Sequence, residues 1–202
     1  MALVINKDGE VIVRSPDWLS EKKIAEFVNN KESWILEKQE LVLKKRELTA
    51  FDLSISIPFL GQVYKIQERT VRDIMIEGDS LILPLSASKD YIIKWMKAEA
   101  KQLIFKRTEY YARVIGVSYS SVKLSNARTR WGSCSSKNSL NFSWRLIMCS
   151  PSAIDYIVIH ELCHIKNKNH GIGFFAQVKS VMPDYLVQEA FLKQNSGFMD
   201  LF

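Results

Sequence analysis

The amino-acid sequence predicts an α+β fold with an N-terminal lobe of strands and helices, residues 1–86, and a second lobe, residues 87–202. Along the chain, the spacing of apolar residues is in some segments that of a helix and in others the alternation typical of a strand. Pro84 and the stretch Ser86–Ser88 interrupt both patterns and mark the boundary between the lobes. With 202 residues, the chain is also short enough for the two lobes to form one continuous domain.

The first lobe begins with two short strands, predicted at Leu3–Asn6 and Val11–Arg14, around a turn at residues 7–10. A helix is predicted from Ser20, and a second one runs from about Lys31 to Arg46. One side of this second helix carries Trp34, Ile35, Lys38, Leu41 and Val42. Alternation returns over residues 53–85, which predicts a small antiparallel region with a turn at Glu77–Ser80.

The second lobe begins with a long helix over residues 89–115, which Gly116 ends. Its predicted buried stripe consists of Ile92, Met96, Leu103, Tyr110 and Val114. Three strands are predicted next, at Ser121–Ser125, Arg128–Ser135 and Leu140–Met148. Ser150 and Pro151 then start a helix that is apolar nearly all round, which predicts a central, buried element. Further helices are predicted from about Gly173 to Met182 and from Pro183 to Gln194.

Composition narrows the class of protein. No apolar run approaches the roughly 18 residues that a membrane span needs, and Asp8 and Glu10 interrupt the start, so we expect neither a membrane protein nor an export signal. Cys134, Cys149 and Cys163 are odd in number and form no C-x-x-C pair, which favours the cytoplasm. The net charge is uneven: residues 87–150 carry 12 basic and 3 acidic side chains, within a chain of net charge +6.

All the histidines of the chain lie between residues 160 and 170, in the segment His160-Glu161-Leu162-Cys163-His164 and at His170. Residues four apart share a helix face, so the imidazoles of His160 and His164 can bind one metal ion. Glu161 lies about 100° round the helix, where its carboxylate can take a proton from a water that the metal polarises. The pattern is a general motif of zinc metalloproteases, although imidazole also suits other transition metals.

The third protein ligand has several candidates. We expect His170, because six residues after the second histidine allow the helix to end and the chain to turn back. Asp184 and Glu189 are alternatives, since some zinc peptidases take a carboxylate from a later helix. Cys163 could also bind zinc as a thiolate, but it points about 60° away from His160 on the helix, and we expect it to pack.

Two sequence blocks resemble one known family. They are Arg128-Thr129-Arg130-Trp131-Gly132-Ser133-Cys134-Ser135 with Leu140–Ile147, and Asp155–His164 through Asn169-His170. Together they closely resemble the YgjP-like zinc metallopeptidases, which are related to the SprT-like and WLM peptidases. The resemblance is dense over about residues 87–190, and Leu60-Gly61-Gln62-Val63-Tyr64 resembles a further family feature. Phe174-Phe175 stands where the family usually has Phe-Trp, so we expect only a packing change there.

The resemblance implies a zincin-like catalytic lobe, in which the HExxH helix packs on a small antiparallel sheet, beside an N-terminal α/β lobe. It also implies zinc ligation by His160, His164 and His170, with Glu161 as the catalytic base of a hydrolase that cuts peptides or proteins. Zinc peptidases of this kind bind an extended peptide along a sheet edge, and strand 128–135 or strand 140–148 could be that edge. Candidate substrate contacts are Arg128, Arg130, Asn141, Arg145 and Tyr156.

A second class of function is a nucleic-acid-associated binding protein whose metal is structural. The basic segment 87–150 motivates it and predicts weak, salt-sensitive DNA binding through Lys94, Lys97, Lys101, Arg128 and Arg130. A structural zinc site normally has four protein ligands, so Cys134 or Cys149 would have to complete the set of histidines. The number of protein ligands on the metal therefore distinguishes the two hypotheses. The sequence leaves the oligomeric state open.

Overall fold

The computed structural model describes residues 1–6, 8–49 and 52–202, with backbone alone for residues 45–49. The first strands, β1 (Ala2–Ile5) and β2 (Val11–Arg14), form an antiparallel hairpin as predicted, although Lys7 of the predicted turn lies outside the described residues. Helices α1 (Glu21–Asn29) and α2 (Glu32–Thr49) follow.

A four-stranded sheet comes next, with strands β3 (Ser56–Phe59), β4 (Gln62–Arg69), β5 (Met75–Glu77) and β6 (Ser80–Pro84) in the order β3-β4-β6-β5. The β5–β6 pair is a hairpin around the predicted turn, but β6 runs parallel to β4. The prediction of a purely antiparallel region is therefore wrong. In the sheet, β6 lies between β4 and β5, so β4 is not paired with the strand that follows it in the sequence. An alternating pattern identifies a strand but not the strands that it pairs with.

The β3–β4 turn joins this sheet to the start of a later helix. The amides of Leu60 and Gly61 donate to the carbonyl oxygens of Ile147 and Met148, at 2.7 and 3.2 Å. Gly61 has φ +79°, and a Cβ on it would lie 2.8 Å from the Cα of Ser150. Only glycine fits this turn, because any side chain would collide with Ser150. The turn thus holds the sheet against the start of the helix that begins at Pro151.

Helix α3 (Lys89–Ile115) has the predicted ends, with Gly116 in the left-handed conformation at φ +68°. Its predicted buried stripe is only partly right, because Ile92 and Met96 are buried whereas Tyr110 and Val114 are more than half exposed. The buried residues beyond Met96 are Ala100, Ile104, Thr108, Ala112 and Ile115. These residues do not continue the predicted stripe, so the buried face of α3 changes position around the helix along its length. Different parts of α3 pack against different neighbouring elements. Small and polar residues at these contacts carry little hydrophobic signal.

The second sheet contains β7 (Ser121–Ser125), β8 (Gly132–Cys134) and β9 (Ser139–Ser143), with β9 in the middle. It is mixed rather than antiparallel, since β7 and β9 are parallel, so the predicted antiparallel sheet is corrected here too. The predicted strand Leu140–Met148 becomes a 3-10 helix at Trp144–Met148, whose five residues are all buried. An alternating pattern predicts a strand with one buried and one exposed face, whereas these five residues have no exposed face.

Helix α4 (Pro151–Lys166) is buried along most of its length, as its sequence predicts, and β8 and α3 pack against it. Helices α5 (Ile172–Val181) and α6 (Tyr185–Gln194) follow it. The result is a mixed α+β fold whose buried core contains residues from both predicted lobes, so the division at residue 86 stays a prediction. Among the described residues, no helix is both long and apolar enough to cross a membrane.

Candidate metal centre

Helix α4 and the turn after it position the histidines. The Ser150 side chain accepts a hydrogen bond from the amide of Ala153 at 3.3 Å, which caps the helix start. One turn apart on the helix, the rings of His160 and His164 have centroids 4.9 Å from each other. The helix ends at Lys166, and the chain turns so that His170 Nε2 lies 3.1 Å from His160 Nε2.

The three imidazoles form a group that fits a metal ion. One ring nitrogen from each of His160, His164 and His170 lies within 4.8 Å of the others. Two ligands about 2.05 Å from a tetrahedral zinc ion are about 3.3 Å apart, close to the observed separation of the His160 and His170 nitrogens. The group found among the described residues consists of these histidines, without a cysteine or a carboxylate. The alternative ligands Asp184 and Glu189 therefore do not belong to it.

Hydrogen bonding and burial set the protonation state of these rings. His164 Nδ1 lies 3.0 Å from the carbonyl oxygen of Asn167, an arrangement that places the proton on Nδ1 and leaves Nε2 with a free lone pair. Burial, followed by the neighbouring histidine charges, lowers the pKa of His160 to about 4. Burial also lowers the pKa of His164. Both rings are therefore neutral near pH 7, which is the form that binds a metal.

An aromatic wall closes one side of the group. Phe174 is 1% exposed, and its ring centroid lies 4.9, 4.5 and 4.8 Å from those of His160, His164 and His170. Phe175 stacks on His170 at 6.1 Å. The aromatic pair therefore restricts the orientation of the imidazoles and excludes water from that side.

Glu161 lies beside the histidines against β8. It is 5% exposed, and a Cβ added to Gly132 would meet its Oε1 at 2.7 Å and its Cγ at 2.8 Å. Burial raises the pKa of Glu161 to about 7, opposed by the charge of Arg130. Sequence reasoning did not single out Gly132. The signal was a glycine in a predicted strand interior, which often marks a close approach of another group.

The other predicted site residues fall into two sets. Tyr156 packs edge-on against His160, at a centroid distance of 5.7 Å. Arg130 and Asn141 line a different cavity, of about 620 Å³, whose walls come from all three strands of the second sheet. Arg128 and Arg145 instead donate hydrogen bonds of 2.5 and 2.6 Å to the main-chain oxygen of Phe202. Both guanidinium groups thus bind the main chain of residue 202, and their contact with a substrate stays a prediction.

Cys163 is not part of the group that the histidines form. It is fully buried, and burial raises the pKa of its thiol to about 11, which disfavours the thiolate needed for metal binding. Cys149 is also fully buried, and all three cysteines are free. The positions of these thiols agree with the packing role expected from the sequence.

Comparisons with known proteins point to a peptidase family. No curated protein matches the chain. A solved structure, the metallopeptidase zymogen jannalysin of Methanocaldococcus jannaschii, shares 18% identity over 43% of this chain and 93% of its own, with a TM-score of 0.39. Residues 1–195 match the family described as YgjP-like, metallopeptidase domain. The chain therefore belongs to the YgjP-like metallopeptidase family.

Proposed function

We propose that this protein is a zinc-dependent peptidase in which His160, His164 and His170 hold the metal and Glu161 is the catalytic base. The observation that carries the proposal is the convergence of the three ring nitrogens beside a buried glutamate. Family membership supports a metallopeptidase, and an all-imidazole group favours zinc among the metals that such enzymes use. The HExxH helix on a small sheet is then the core of a zincin-like catalytic lobe.

Zinc, when bound, supplies a Lewis acid that polarises water and the substrate carbonyl. Glu161 accepts the proton of the attacking water at its carboxylate and passes it to the leaving amine. Gly132 and β8 hold that carboxylate in place from one side. Arg130, whose charge acts on Glu161, and Tyr156, which packs on His160, are our candidates for stabilising the oxyanion.

The substrate in this proposal is an extended peptide that pairs with β8. Among the described strands, β8 is at an edge of the second sheet and β9 is in its centre, so only β8 of the two predicted edge candidates has a free side. An added strand would gain backbone hydrogen bonds with little dependence on sequence. Arg130 precedes β8 in the chain and Asn141 lies on the neighbouring strand β9, and both line a cavity that extends across the strands of this sheet, so we propose them as contacts for side chains of the peptide.

A structural metal in a nucleic-acid-binding protein is the competing function. A structural zinc site closes with four protein ligands, whereas the group found among the described residues offers three. This difference supports the peptidase, although the basic segment could still bring the enzyme to DNA. We also propose a cytoplasmic location, because the three cysteines are free.

The test compares the zinc-loaded wild type with Glu161→Gln on a proteome-derived peptide library read by mass spectrometry. We expect cleavage to fall by about 10²–10⁴-fold while zinc content stays unchanged, because the amide is isosteric but cannot act as a base. Glu109→Gln is the matched control, since Glu109 is an exposed residue of α3 that pairs with Arg113. Full cleavage by Glu161→Gln would contradict the proposal.

A further inference from the structure

A cavity of about 700 Å³ reaches the ring of His160 from the side of the N-terminal hairpin. Its walls come from β1, α2, α4 and α6, and three aromatic residues are among the lining residues, namely Trp34, Trp131 and Tyr156. Leu41 and Val42 continue the apolar wall along α2. The volume is that of a site for a small ligand, about 300–1,000 Å³.

We propose that this cavity, the apolar pocket, binds one large apolar side chain of the substrate beside the bond that is cleaved. The inference deepens the proposed function and rests on it. The pocket is continuous with the proposed peptide path, because Trp131 directly precedes Gly132 of the edge strand β8 and His160 forms part of the pocket wall. Alternate side chains of a bound strand point to opposite faces, so one of them can enter the pocket.

The charges around the pocket favour an apolar occupant. Lys193 forms an ion pair with Glu37, and the Lys38 ammonium lies 5.9 Å above the Trp34 ring. Both lysines are therefore already engaged by the N-terminal part of the chain. Glu189 also lines the pocket, but its side chain is exposed to solvent, so a basic substrate side chain would gain little from it while losing hydration against the aromatic and aliphatic wall. An acidic side chain would meet only lysines that already have partners. A phenyl or branched aliphatic group has little hydration to lose, and burial of its apolar surface in the pocket is favourable.

The wall on α2 can be altered without disturbing the core. Trp34 is 38% exposed, and Val42 is half-buried. Trp34→Ala removes an aromatic surface, and Val42→Phe adds bulk to the pocket. Leu36→Ala is the matched control, because Leu36 is 60% exposed on the same helix and does not line the pocket.

The test measures binding separately from cleavage. Heptapeptides of Gly and Ser with a single central Phe or Ala are titrated by calorimetry into zinc-loaded Glu161→Gln protein. We expect the Phe peptide to bind about ten- to a hundredfold more tightly, from the burial of one phenyl group. Trp34→Ala and Val42→Phe in this background should reduce the preference to about threefold or less, whereas Leu36→Ala should keep it.

The outcomes separate the two proposals. Equal affinity for both peptides, or no binding of either, overturns the apolar pocket whatever the wild type cleaves. A preference for Phe that survives both pocket variants also overturns it. A preference that is lost in both variants supports the pocket, even if the wild type cleaves neither peptide. Absence of cleavage over the whole library counts against the peptidase alone.

Discussion

Replacing Gly132 by alanine would place a methyl group against the proposed catalytic base. The new Cβ would lie 2.8 Å from Glu161 Cγ and 3.0 Å from its Cδ, whereas carbon atoms in favourable contact are about 3.5–4.0 Å apart. The backbone of β8 is held by pairing with β9 through Phe142, so the Glu161 side chain must move. The required shift is about 1 Å.

A displacement of that size in a catalytic group can reduce the rate by about 10²-fold. We therefore expect Gly132→Ala to lower kcat by about that factor while zinc affinity stays unchanged, because the atoms nearest to the new Cβ belong to Glu161 and not to a histidine. Overpacking also costs about 1–3 kcal/mol of stability, which corresponds to a drop in Tm of a few degrees. Thermal unfolding and zinc titration separate these effects from the loss of turnover.

Two controls show whether Gly132 acts through Glu161. Gly171→Ala makes the same exchange where the new Cβ would meet only Asn169 Oδ1 at 3.4 Å, and we expect activity within about threefold of wild type. In the Glu161→Gln background, Gly132→Ala should add little further loss, since the group that it displaces is already inactive. Wild-type turnover in Gly132→Ala, or an equal loss in both backgrounds, would refute the reasoning.

Two further predictions concern Asp155 and the basic segment. Burial raises the pKa of Asp155 despite Arg107 and the hydrogen bond from Tyr111, so its ionisation costs stability as pH rises above about 3.9. The Tm of Asp155→Asn relative to wild type should therefore increase with pH over this range, and a relative Tm that falls would contradict the assignment. Lys97 and Lys101 lie beside Trp144 on the basic segment. Their double replacement by alanine should weaken low-salt binding of duplex DNA and reduce the salt slope by about two, and the absence of any low-salt binding by the wild type would exclude this surface.

The elements with strong local signals could be predicted from the sequence. Ser150 and Pro151 mark the start of α4, and Gly116 in the left-handed conformation ends α3 where expected. The spacing of His164 and His170 predicts that the helix ends between them, and the structure brings their rings together. These signals depend on caps, turns and helical period, which act over a few residues.

Contacts between distant segments could not be read in the same way. Ala100 and Thr108 lie on the buried side of α3, because different parts of that helix pack against different neighbouring elements. Arg145 is 3% exposed inside a predicted alternating strand, where its charge is used to bind Phe202. Gly132 is required by a carboxylate on another element, so its role is evident only when β8 is placed against α4.

X-ray absorption at the zinc edge tests the central claim most directly, because it counts ligands without needing a substrate. We predict three imidazole nitrogens and one oxygen, all at about 2.0–2.1 Å, in the wild type. His170→Ala should remove one imidazole from this set, and Glu189→Ala should leave the spectrum unchanged. A sulfur ligand at about 2.3 Å, or a full set of imidazoles in His170→Ala, would contradict the three-histidine site and the hydrolytic role built on it.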